Sequence, residues 1–146
     1  MKTLLTAIVF ATIAVNLANG DEQMAWKDAN RVRFSFKDNE IIVALVDNSA
    51  SRSLVAMLPL DLEFRDYAAS EKISDPPRRL DTSDVPAGYD PSVGDLTLYA
   101  PWGNLAFFYR DHGYDRGLVP LGTIVSGADI LGEIDGAESV HVEIAE

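Results

Sequence analysis

"LAFFYRDHGYDRGLVPLGTIVSGADIL", residues 105–131, packs strand, turn, strand and short helix into one run. Successive side chains of a strand point to opposite faces. Leu105, Phe107 and Tyr109 therefore share one side, and Ala106, Phe108 and Arg110 the other. "DHGYDRG" interrupts the alternation with glycine and aspartate, the residues of a turn. "LVPLGTIVS" resumes as strand, and "GADILGEI" has room for one helical turn or two. One face of the first strand must fill a core. The other carries Phe108 beside Arg110, so it is either a second packed layer or a groove with an apolar floor and a hydrogen-bond donor.

Working outward, "GDLTLYA" and "NLAFFYR" read as neighbouring strands split by a turn. Near the start, "RVRFSF" alternates with Val32, Phe34 and Phe36 on one face, and "EIIVALV" follows after a "KDN" turn, giving a hairpin. "DNSASRSLVAMLPL" differs: Asn48 or Ser49 can cap a helix, and Leu54, Val55 and Leu58 share a helical face until Pro59 stops it. "DLEFRDY" alternates again, with Leu62 and Phe64 inward and Arg65 outward. Residues 74–93 hold four prolines and no apolar period, so a long loop is expected there, and such loops often carry function. "SVHVEIA" closes the chain as a strand, with Val140, Val142 and Ile144 on one face and His141 on the other. Seven or so short strands with few helical residues predict an all-β closed barrel or sandwich.

The opening "MKTLLTAIVFATIAVNLANG" places Lys2 before an uncharged apolar run and ends on Ala18-Asn19-Gly20, the pattern of a secretory signal peptide over 1–20. The run is shorter than the ~20 residues a bilayer span requires. Residues 21–29 then form a polar leader and 30–146 one domain. The expected compartment is periplasmic or secreted, with no lipidation cysteine, since the chain has none. The fold must accordingly hold by burial and hydrogen bonding, not disulfides. The formal net charge is −11, and loss of 1–20 removes Lys2 and no acid. A balance that negative repels nucleic acid and anionic membrane surfaces.

Catalytic clusters are scarce. No cysteine nucleophile and no Gly-x-Ser-x-Gly turn exist. Asp111, His112 and Asp115 form a turn without metal-ligand spacing, so neither a metal nor a cofactor is expected. Gly122, Gly127 and Gly132 lack the surroundings of a phosphate loop and read as turn and packing positions. The aromatic group Tyr99, Trp102, Phe108, Tyr109 and Tyr114, with Arg110 among it, is the candidate binding surface.

In order, Phe107-Phe108, Val119, Gly122, Ile124, Gly127 and Ile130 resemble the C-terminal half of cyclophilins. "LPLDLEFRDYAASEKI" and "GYDPSVGDLTLYAPWGNLAFFYR" are similar to small bacterial cyclophilin-like proteins, distant from the true isomerases. The resemblance spans most of residues 30–132 and implies a closed barrel of about eight strands with one or two short capping helices. It also implies a pocket for extended or proline-containing peptides. In it Phe108 corresponds to the pocket Phe, Tyr114 stands near a pocket Leu, and Leu118 replaces the pocket His. The Phe-His-Arg and Gln-Gly-Gly-Asp segments of true cyclophilins are absent, leaving Arg65 and Arg110 as candidate catalytic donors. The expected function is a peptide-binding module with little or no isomerase activity, Tyr99, Trp102, Phe108 and Tyr114 forming the site. The alternative is a peptidyl-prolyl isomerase of the exported compartment, and a blander one a small-molecule binder at the barrel mouth.

Overall fold

A computed structural model describes Trp26 and residues 30–146; the signal peptide expected over 1–20 and nearly all of the 21–29 leader lie outside the described residues. Nine strands follow: β1 (Arg31–Phe36), β2 (Asn39–Leu45), β3 (Leu60–Leu62), β4 (Arg65–Tyr67), β5 (Glu71–Ser74), β6 (Asp95–Tyr99), β7 (Asn104–Phe108), β8 (Leu118–Ser126) and β9 (Val140–Ile144). They form one antiparallel sheet in the order β3-β9-β1-β2-β8-β6-β7-β5-β4. The two edge strands, β3 and β4, are consecutive in the chain and separated only by Glu63 and Phe64. The sheet curls into a half-barrel whose two edges are linked at that corner by the chain and not by a ladder. The all-β barrel expectation holds, with nine strands in place of about eight.

Alternation explains the core. Val32, Phe34 and Phe36 of β1, Ile41 and Val43 of β2, Leu105 and Phe107 of β7, and Val140 and Val142 of β9 are all buried in one cluster. At its centre Phe34, Phe64 and Phe107 meet edge-on or tilted, with ring centroids 5.1–6.3 Å apart, a favoured aromatic geometry. Helix α1 (Ser49–Met57) begins where the Asn48 side chain accepts the Ser51 amide at 2.8 Å. Its buried side brings Ala50 and Leu54 to the core, and Ser51 Oγ donates to the Leu121 carbonyl of β8 at 3.0 Å. A 3-10 helix, Ala128–Gly136, adds Leu131 and Ile134.

Strand β8 bends twice, at register shifts against β2 and β6. Such bulges increase local twist and curvature, and they make room for Pro120, which has no amide to give a ladder. Gly122 and Gly127 have packing roles, as expected, whereas a Cβ on Gly132 would meet nothing within 4 Å. Gly127 has φ +85° and would drive a Cβ into the Glu40 carbonyl, while a Cβ on Gly122 would meet the Ala44 carbonyl. Gly127→Ala combines a left-handed backbone with a backbone clash. It should lower the unfolding free energy by about 2 kcal/mol, read as a shifted urea midpoint; an unchanged midpoint would contradict the close approach.

The 74–93 segment is a loop, though a structural one. It carries Leu80 into the core, and its Asp84 accepts the Ser49 amide at the start of α1 and pairs with Arg52 at 2.7 Å. Sequence reading placed no strand at 71–74. β5 exists because Ala68 and Ala69 both take positive φ, 55° and 51°, making a tight hairpin with β4. That turn is ordinarily announced by Asn-Gly, and two alanines announce nothing.

Candidate functional site

The outward faces of β7 and β5 carry a second apolar layer. Ile73, Ala106, Phe108 and Leu118 are buried there, with Tyr89 and Tyr99 packed against them. Register dictates the grouping: Glu71 of β5 stands opposite both Tyr67 of β4 and Phe108 of β7, and Leu118 of β8 stands opposite Tyr99 of β6. Over this layer opens a pocket of about 190 Å³, lined by Tyr67, Glu71, Tyr99, Trp102, Phe108, His112, Asp115 and Leu118. Phe108 and Leu118 are its floor. Trp102 meets Tyr67 and Tyr99 edge-to-face at 5.5 and 5.4 Å, so three rings form one wall. The His112 ring lies 5.1 Å from that of Phe108.

The pocket's supports are polar and satisfied. Tyr89 and Asp115 exchange backbone hydrogen bonds at 3.1 and 3.0 Å, pinning the turn that carries His112. Buried Asp95 accepts the Tyr89 hydroxyl at 2.7 Å, the Ser92 amide and the Thr123 hydroxyl. Burial and that carboxylate together push the Tyr89 hydroxyl up to about 12. Asp115 accepts the Gly117 amide and faces His112 Nε2 at 3.5 Å.

Glu71 is the exception. Only 9 % exposed, it has no hydrogen-bond or ion-pair partner among the described residues. Burial raises its pKa, His112 works against the rise, and Asp115 and Asp66 add to it. Its neighbour Lys72 faces the other way, into the barrel, and binds Asp66 at 3.1 Å and Asp135 at 3.0 Å.

Three of the four expected binding residues, Tyr99, Trp102 and Phe108, line this one pocket. Tyr114 does not. The Tyr89–Asp115 bridge turns it outward against Gly88, and it is 64 % exposed. Arg110 does not line the pocket either. β7 ends at Phe108, one further register step is made by the Tyr109 amide donating to the Ser70 carbonyl, and beyond it the Arg110 guanidinium lies 6.0 Å from the Tyr109 ring, away from the pocket lining. Arg65 shares β4 with Tyr67, but its guanidinium binds Asp75 at 3.1 Å in a separate depression with Asp61 and Glu63. That depression is roomier, about 340 Å³, and is lined by the carboxylates of Asp61, Glu63 and Asp75 with Leu62 and Phe64 between them; it has none of the aromatic wall that surrounds Phe108. His141 is a surface residue as expected, with Nδ1 2.9 Å from Asp61. Among the described residues no three His, Asp or Glu side chains converge to hold a metal ion.

A sequence profile of the cyclophilin-like family matches residues 34–145. The chain belongs to the cyclophilin-like family. This cyclophilin-like chain is also similar to the solution structure of a hypothetical protein from Archaeoglobus fulgidus, with TM-score 0.62 and 20% identity over 81% of this chain and 96% of that one. At that identity the likeness is one of fold. The comparison with curated proteins finds no match. In this cyclophilin-like barrel, sequence reading missed Tyr67, Glu71, His112 and Asp115 as members of the pocket. Only Tyr67 left a signal, as the aromatic end of the alternating "DLEFRDY".

Proposed function

We propose that this chain is an exported peptide-binding member of its family, with little or no prolyl isomerase activity, and that the Phe108 pocket takes one side chain of an extended peptide. The observation that carries the reading is the lining itself: an apolar floor and a wall of three aromatic rings, with no arginine. Sites for whole drug-sized ligands start near ~300 Å³, so a 190 Å³ pocket suits one side chain better than a free small molecule. Tyr67 belongs to β4, an edge strand, and an open edge beside a side-chain pocket is a common way to take an extended backbone. The leader pattern of residues 1–20 supports export.

Isomerisation has to overcome an amide barrier of ~18–20 kcal/mol. The expected means is an arginine within about 3 Å of the prolyl nitrogen. Arg65 is tied to Asp75 and Arg110 rests on Tyr109, so neither is offered over the Phe108 floor. Exchange NMR of a short Xaa-Pro peptide tests this. The expected result is shifted resonances for Phe108 and the Trp102 indole with the cis-trans exchange rate unchanged. Acceleration by the wild type that disappears in Arg65→Ala or Arg110→Ala would instead establish an isomerase and name its donor.

A further inference from the structure

We propose that the Phe108 pocket selects an organic cation, an alkylammonium group such as the end of a lysine side chain, held between the aromatic wall and the Glu71 carboxylate. This deepens the peptide-binding reading and rests on it for the location of the site.

The argument begins with Glu71. Buried carboxylates are normally paired or hydrogen-bonded, because taking a charge out of water without compensation is costly. This protein obeys the rule elsewhere: Asp95, at 4 % exposure, collects three donors. Glu71, 9 % exposed as a residue, opposes Phe108 on the pocket floor; its carboxylate oxygens open to the pocket and collect no donor among the described residues. A carboxylate held at the pocket floor with no donor from the protein is free to take one that enters from outside.

The walls say what kind of donor. Tyr67, Tyr99 and Trp102 surround the opening in mutually edge-to-face contact, and ring faces attract cations. Cages of this composition recognise ammonium groups. A second carboxylate, Asp115, lines the same pocket, and the one basic group on it is His112, which faces Asp115. A metal ion is a poor occupant, since no three ligating side chains converge among the described residues. An anion would meet two carboxylates. An aliphatic stem over Phe108 and Leu118, ending in a charged nitrogen at Glu71, satisfies every group in the lining.

The test is an NMR titration of the 15N-labelled protein near neutral pH. Three probes are used: a blocked tripeptide with central lysine, the same peptide with norleucine, and tetramethylammonium. The inference expects the lysine peptide to shift Glu71, Phe108 and the Trp102 indole, and to bind at least about tenfold more tightly than norleucine. Glu71→Gln should abolish that preference. Trp102→Ala, which removes an exposed wall and leaves the core intact, should weaken it. Equal binding of the two peptides would overturn the cation inference and leave the peptide reading standing. Binding of tetramethylammonium alone would keep the cation and overturn the peptide. No shift from any probe would overturn both.

Discussion

Replacing Lys72 with methionine should lower the unfolding free energy by about 3 kcal/mol, the low end of what removing one partner from a buried ion pair costs. Lys72 is 7 % exposed and its ammonium lies between Asp66 and Asp135, 5.1 Å from the Tyr109 ring centroid. Burial pulls its pKa down, but the hydrogen bonds it donates to Asp135 and Asp66 outweigh that, and the net shift is upward. Methionine would fill the space and leave two carboxylates facing each other without a cation. Because both acids are partly exposed, water would soften the penalty and keep it near that lower value. The network also joins β4, β5 and the 3-10 helix. Losing it should loosen the β4–β5 hairpin that carries Tyr67 and Glu71 to the pocket. Urea denaturation reads the first effect, and faster amide exchange over residues 65–74 reads the second. An unchanged midpoint would mean that the ion network contributes nothing to closing this end of the barrel.

Glu71→Gln should do the opposite for stability while abolishing recognition of a cation. A carboxyl whose folded-state pKa is raised keeps its proton longer in the folded state than in the unfolded chain. Its stabilising effect is complete below the unfolded pKa and is lost as pH climbs through the folded value. In the wild type the carboxylate faces Tyr67, Phe108, Asp115 and His112 with no donor among the described residues, and burial disfavours its charged form. The amide variant should be more stable than wild type at pH 7 by about 1 kcal/mol, a typical gain when a functional position is relieved, and nearly equal to it at pH 4. Thermal unfolding at the two pH values is sufficient. A variant less stable at pH 7 would show that Glu71 has a stabilising partner and would remove the reason for expecting a ligand there. The test is informative because structural and functional roles predict opposite signs.

How much of this was legible beforehand depended on whether the signal was local. Alternation along "RVRFSF", "NLAFFYR" and "SVHVEIA" is a property of neighbouring residues, and it correctly assigned Val32, Phe34, Phe107, Val140 and Val142 to the core. The cap at Asn48 and the stop at Pro59 are equally local. The resemblance carried by Phe107-Phe108, Gly122 and Gly127 reached the family correctly, and both glycines sit where a backbone passes too close for a Cβ. The β4–β5 hairpin failed because its turn is Ala68-Ala69 and its second strand is the polar pair Glu71-Lys72, which breaks the apolar rhythm a strand is recognised by. Arg110 and Tyr114 lie outside the pocket lining for reasons a local pattern does not carry: β7 ends at Phe108, and the Tyr89–Asp115 bridge turns Tyr114 outward.

By itself the sequence determined the barrel, the inward-facing set and three of the aromatic side chains that line the Phe108 pocket, because period, caps and turn residues act within a few positions of the chain. The tertiary structure alone decided that Glu71, more than thirty residues from Phe108 in sequence, stands across from it, that Lys72 faces two aspartates, and that neither arginine reaches the floor. Cross-strand register is set by the packing of all nine strands at once, and a one-residue slip turns every side chain to the other face. Which polar groups end up without a partner is therefore settled only when the sheet closes.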